Sequence, residues 1–120
     1  MKVLIAGSRT FNDMEQLRDK MNSVEEIYEQ KITAVLCGMA KGADLLGRLW
    51  ALERGISVLE YPANWATEGR SAGYIRNVKM VDNADLVIAF WDGESKGTKH
   101  TIDTANRKGV SCEVIRFRKE

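Results

Sequence analysis

The sequence predicts an α/β fold, a three-layer Rossmann-like sandwich with a five-stranded parallel sheet between helices. Three observations predict it. Five short apolar runs alternate with four helical patterns along the 120 residues. The inner runs are continuous rather than alternating, as in strands covered on both faces of a parallel sheet. Seven of the ten glycines, at positions 7, 38, 42, 69, 73, 93 and 97, follow the ends of the first four runs. A sheet that opens onto loops at one edge puts its turns there.

The strands are expected at residues 2–6, 33–37, 57–61, 85–90 and 112–117. The first helix is expected over residues 12–30, with Met14, Leu17, Met21, Val24, Ile27 and Tyr28 as its apolar stripe and Asn12 with Glu15 as a capping box. The second runs over 41–54, with Leu45, Leu46, Leu49 and Leu52 inward and Gly55 at its C-terminal cap. The third covers 70–83, with Ile75, Val78 and Val81 on one face, and the fourth covers 98–108 and stops at Gly109. Pro62, the single proline, bounds the third strand. Right-handed crossovers then place helices on both faces.

Length and composition fit one domain over residues 1–120, with 44% apolar and 29% charged residues. Eighteen basic against 17 acidic side chains leave a net charge of +1. That balance argues against a protein that coats nucleic acid, so nucleic acid is an unlikely partner, but it permits a local basic pocket. Cys37 and Cys112 make no disulfide framework and no metal-binding spacing, and no disulfide or metal is expected. The chain opens on a strand, shows no signal peptide and has no membrane-spanning run, which reads as cytoplasmic.

The chemistry is expected at the glycine-rich edge. Glycine lets backbone N–H groups approach an anion, and a following helix N-terminus adds partial positive charge. A turn alone explains any one glycine; four glycine loops on one edge point to a ligand. In the first loop Gly7 is followed by Ser8, a hydroxyl donor, and Arg9, which can hold a phosphate in a fork. The second loop carries Gly38, Lys41, Gly42 and Asp44. The fourth carries Trp91, Gly93, Ser95, Gly97 and Thr98, where Thr98 reads as a helix cap, a phosphate ligand or both. Trp91 or Trp65 could stack on a base, while Trp50 reads as core or interface. Neither a Walker A loop nor a dinucleotide fingerprint is present, and His100, the only histidine, has no nucleophile beside it for a triad.

Four segments together resemble a known family: Gly7-Ser8-Arg9-x-Phe11, then Gly38-x-Ala40-x-Gly42-Ala43-Asp44, then Arg76-Asn77-x-x-Met80-Val81-Asp82, then Trp91-Asp92-Gly93-x-Ser95-x-Gly97-Thr98. They resemble the small YspA-like, YpsA-related SLOG proteins. Their Rossmann-like superfamily also holds DNA-processing protein A and the LOG phosphoribohydrolases. The resemblance implies the strand order 3-2-1-4-5 and a pocket for a nucleotide or nucleotide derivative, with Arg76 among its ligands. It also implies a homodimer or higher homo-oligomer, to which Trp50 and Tyr74 would contribute bulk. In the LOG enzymes an Arg and a Glu carry out hydrolysis. Arg76 matches the Arg, but the Glu position falls on Thr101.

The expected function is binding of a phosphorylated, nucleotide-derived small molecule, as a sensor, carrier or sequestering protein, with no cofactor required. A nucleoside-monophosphate phosphoribohydrolase is the alternative, and a single-stranded DNA binder like DNA-processing protein A is the second. The missing carboxylate at Thr101 leaves catalysis open, since Asp44 or Asp92 could stand in for it.

Overall fold

Strand β1 (Lys2–Gly7) forms the middle of the sheet because both its faces are apolar. In the computed structural model, which describes residues 1–118, β1 pairs in parallel with β2 (Ala34–Gly38) on one side and β4 (Leu86–Trp91) on the other. β3 (Ser57–Tyr61) adds outside β2, and β5 (Ser111–Arg116) outside β4. The order is β3-β2-β1-β4-β5, all parallel, as the resemblance implied. The chain therefore reverses its direction of travel across the sheet between β1 and β4.

Alternate residues of β1 feed two cores. Val3 and Ile5 join Val35 and Ile88 under helix α1 (Met14–Tyr28) and helix α2 (Ala43–Glu53). Leu4 and Ala6 join Leu36 and Val87 on the other face, under Met80 and Val81 of the fourth helix and Ala105 of the fifth. Cys37 and Cys112 are both free. Among the described residues no helix is long and apolar enough to cross a membrane.

The helices depart from expectation in ways that packing explains. Helix α1 is capped by Asp13, whose Oδ1 accepts from the Gln16 N–H at 2.9 Å; Asn12 lies one residue too early for the expected box. Leu17, Met21 and Val24 are buried, but Ile27 is exposed as the helix runs past the sheet.

Helix α2 turns a different face inward. Leu45, Leu49 and Leu52 are exposed, Leu46 packs at the core's margin, and Ala43, Gly47, Trp50 and Ala51 are buried. Gly47 decides this: a Cβ there would stand 2.7 Å from Ile5 Cγ2, so the helix makes its closest approach to the sheet at the residue without a side chain. Trp50 is core rather than interface, and its indole N–H donates to Asn22 Oδ1 at 3.1 Å.

The third expected helix divides into α3 (Trp65–Glu68), a 3-10 turn (Gly69–Ser71) and α4 (Ala72–Asp82). On α4, Ile75 and Val78 are only half-buried, and polar Asn77 takes an inward position beside Met80 and Val81. Helix α5 (Lys96–Lys108) starts before Thr98, because Ser95 is the cap and its Oγ accepts from the Thr98 N–H. It ends as expected at Gly109, in the left-handed conformation with φ 72°.

Candidate functional site

The loop after β1 is a tight, anchored turn. The Ser8 N–H donates to Phe90 O at 2.9 Å, and the Phe11 N–H donates back to Ser8 O at 3.1 Å. Phe11 stacks on Phe90 with ring centroids 4.6 Å apart, fixing the far side of the turn in the core. Ser8 is buried, and its Oγ accepts the Asp92 N–H at 3.1 Å, tying the first loop to the fourth. Arg9 and Thr10 are left exposed at the mouth.

The second loop packs backbone to backbone on the first. Gly42 caps α2 with φ 76° and ψ −129°, a conformation that excludes a side chain, and any Cβ there would strike Ser8 O. Gly38 serves a close approach of another kind. A Cβ there would stand 2.5 Å from Arg76 Nη1 and 2.8 Å from Asp44 Oδ2, so the guanidinium and the carboxylate face each other across a bare glycine.

Arg76 reaches this place from α4 and is held there. Its Nη1 donates to Tyr61 O at 3.3 Å, and its Nε donates to Asn77 Oδ1 at 2.9 Å. Asn77 Nδ2 in turn lies 3.4 Å from both Gly97 O and His100 Nδ1. This inward asparagine thus links the arginine to the start of α5. His100 lies against Tyr74, centroids 4.4 Å apart, and burial lowers its pKa, favouring the neutral ring. Burial acts in the opposite direction on the Asp44 carboxyl, pushing its pKa up to about 6 against the pull of Arg76, the Ala40 N–H and Arg9.

The fourth loop folds around Asp92, whose Oδ1 accepts from the N–H groups of Glu94 and Ser95 at 2.8 and 2.9 Å. Ser95 then caps α5, with its Oγ 3.1 Å from Thr98 Oγ1. Thr101 donates its hydroxyl to Gly97 O at 3.3 Å.

Together these loops enclose a cavity of about 410 Å³ where β1 and β4 end side by side. Of the residues the sequence singled out, Gly7, Ser8, Arg9, Asp44, Arg76, Ser95, Gly97 and Thr98 line it. Gly42 stands behind it as a spacer, Gly38 borders a smaller cavity of about 190 Å³ beyond Asp44, and Lys41 is exposed without lining either one. Trp91 turns away: its indole N–H donates to Ser95 O at 3.0 Å, and Arg116 covers its ring at 5.3 Å. Gly93 faces the same Arg116 rather than the cavity. Asn77, Asp92 and Thr101 line the cavity as well, although they were not among the chosen ligands. The signal for Asn77 was a polar residue at an inward helix position next to Arg76. Among the described residues, no group of His, Cys, Asp and Glu is arranged to hold a metal ion.

The family profile described as YAcAr, the YspA, cpYpsA-related SLOG family, matches residues 1–67, which include the first two loops of this site. The chain belongs to this SLOG family. Over nearly its whole length it is also similar to the Gene 61 protein of Mycobacterium phage D29, at 34% identity over 97% of this chain and 95% of that protein. The fold is that of DNA processing protein A (DprA) from Streptococcus pneumoniae, with a TM-score of 0.73 at 18% identity over 97% of this chain. The chain spans 50% of that DprA chain. The family match covers the Gly7-Ser8-Arg9 and Gly38-to-Asp44 segments, and the likeness in fold to DprA extends over 97% of this chain.

Proposed function

We propose that this SLOG protein binds a phosphorylated, nucleotide-derived small molecule in the cavity between β1 and β4, acting in the cytoplasm as a sensor, carrier or sequestering protein. One observation carries the reading. The cavity of about 410 Å³ lies at the point where strand order reverses, and it gathers Arg9, Arg76 and the start of α5 around one space. Open α/β sheets bind ligands at that point, and a cavity of this size suits a mononucleotide. In this reading Arg9 and Arg76 hold phosphate by charge-assisted hydrogen bonds, and Ser8, Ser95 and Thr98 offer hydroxyls. No cofactor is needed for binding.

Binding without rapid cleavage is the expected behaviour. Ribosyl transfer develops positive charge on the sugar, and a carboxylate commonly stabilises it. Thr101 stands where the LOG resemblance puts that acid, and its hydroxyl is already spent on Gly97 O. Phosphate contacts alike in ground and transition states do not lower the chemical barrier.

Titration calorimetry with AMP tests the reading. Arg9→Ala is expected to weaken binding by about 1.5–3 kcal/mol, the scale of a charged hydrogen bond. Chromatography of the titrated mixture should recover intact AMP. Unchanged affinity would remove Arg9 from the site, and multiple turnovers per minute abolished by Arg76→Ala would establish the hydrolase instead.

Two further points belong to the proposal. Single-stranded DNA is the second reading, favoured by the DprA-like fold and by the exposed Trp65 near the site; net charge alone does not set it aside. Self-association with a second copy has its physical ground on α2. Leu45, Leu49 and Leu52 are exposed there, next to an Arg48–Glu60 ion pair of 2.6 Å. A two-fold interface over that patch would bring the same leucines of two copies together. Light scattering at micromolar concentration should show a dimer or larger species; a strict monomer would overturn this.

A further inference from the structure

Trp65 is a large aromatic side chain left mostly in solvent. It opens α3, is 61% exposed and has no hydrogen-bond partner for its indole N–H among the described residues. The short helix is held by other groups: Asn64 Oδ1 accepts from the Thr67 N–H at 3.3 Å, and the Gly69 N–H donates to the Trp65 carbonyl. No residue of α3 is buried. Leaving a large aromatic surface in water forgoes the gain of burying it.

What lies beside Trp65 gives it a use. A Cβ at Gly73 would stand 3.5 Å from Trp65 Cη2 and 4.0 Å from Arg76 Nη2. Gly73 therefore presents no side chain at the place where the edge of the indole and the guanidinium come closest. Its backbone does not need glycine, because only Gly42, Gly55, Gly69, Gly93 and Gly109 have positive φ among the glycines. An alanine would fit, its Cβ in ordinary van der Waals contact with the edge of the indole. Arg76 borders both Gly73 and the main cavity, which sets the exposed indole close to a phosphate held at Arg76.

We propose that Trp65, the bare backbone of Gly73 and the guanidinium of Arg76 form a nucleobase subsite, in which the indole stacks on the base of a 5′-phosphorylated nucleotide. The inference rests on the cavity reading above and deepens it, because it makes the base, and not only the sugar phosphate, a determinant of binding. It also assigns the stacking role to Trp65 rather than to Trp91, whose ring is already covered by Arg116. The same chemistry would take a free mononucleotide or the 5′ end of a single strand.

The test compares AMP with ribose 5-phosphate, which lacks only the base, on the full chain and on Trp65→Ala, Trp65→Phe and Gly73→Leu. The wild type should prefer AMP. Trp65→Ala and Gly73→Leu should weaken AMP binding about 5- to 150-fold, the range of one base stacked on an aromatic ring, and leave ribose 5-phosphate binding unchanged. Trp65→Phe should retain most of the AMP affinity. The exposed ring predicts an unaltered melting curve for Trp65→Ala. A 5′-phosphorylated oligothymidylate in a further arm separates the sources: binding tighter than that of TMP assigns the subsite to single strands, and equal or weaker binding to free nucleotides. If ribose 5-phosphate binds but AMP gains nothing over it, or if Trp65→Ala weakens both by one factor, the subsite is overturned while the cavity reading stands. If none of these phosphates binds the wild type, the cavity reading falls and the subsite with it.

Discussion

Gly42→Ala is expected to lower the melting temperature by about 8–24 °C, a larger effect than any other single methyl added to the glycine edge. Two independent penalties meet at this residue. Its φ of 76° with ψ −129° lies where only glycine is at ease, and forcing an L side chain there costs about 1–3 kcal/mol. The added Cβ would also strike Ser8 O and stand 2.7 Å from the Arg9 backbone, a contact that no side-chain rotation relieves. Overpacking of that kind costs another ~1–3 kcal/mol, and each kcal/mol moves the midpoint of a 120-residue domain by ~4 °C. The same displacement would shift Arg9, so phosphate binding should weaken with stability. Gly97→Ala is the matched control: no atom lies within 4 Å of its Cβ position and its φ is ordinary. There, in the first turn of α5, the melting temperature should hold or rise slightly. A drop below about 5 °C for Gly42→Ala would show that the two loops can separate without penalty.

This contact also marks the boundary of what the sequence could reveal. The sheet was legible because continuous apolar runs such as Leu86–Trp91 have few other uses, and the strand order came with the SLOG resemblance. The glycine edge was legible as a whole, since turns and anions both ask for glycine. What each glycine faces was not. Gly42 answers to Ser8, Gly38 to Arg76 and Asp44, and Gly93 to Arg116, all through contacts distant in sequence. The inward face of α2 was misread because its leucines outnumber its small residues, whereas the closest approach of helix to sheet is set by Gly47 against Ile5. Both Trp91 and Trp65 could stack on a base, and the sequence placed Trp91, not Trp65, among the ligand residues. Arg116, from the far end of the chain, occupies the Trp91 ring, while the Trp65 ring stays exposed. The role of Asn77 depended on α4 and α5 meeting, which its local sequence does not encode.

Asp44→Asn should make the protein more stable at pH 8 and no more stable near pH 4. The carboxyl is 8% exposed, and burial raises its pKa from 3.8 to about 6. A raised pKa means that the folded state holds the proton more tightly than the unfolded chain does. The favourable contribution is therefore complete below about pH 4 and is lost as pH rises through about 6, where the buried group must carry its charge. Asparagine keeps an oxygen for the Ala40 N–H and carries no charge at any pH. Its advantage at pH 8 should be on the order of 2–3 kcal/mol, shrinking to nothing in acid. Urea unfolding at pH 8, 6 and 4 measures this, and a difference constant with pH would overturn it. An anion in the cavity adds a second negative charge beside Asp44 and raises its pKa further, so binding takes up a proton. Sulfate, which does not titrate in this range, should bind the wild type more tightly at pH 6 than at pH 8. On Asp44→Asn the affinity should be nearly flat across that interval and higher than wild type at pH 8. The variant also separates Asp44 from the other titrating group nearby: a slope that survived the substitution would belong to His100, which Asn77 joins to the same site.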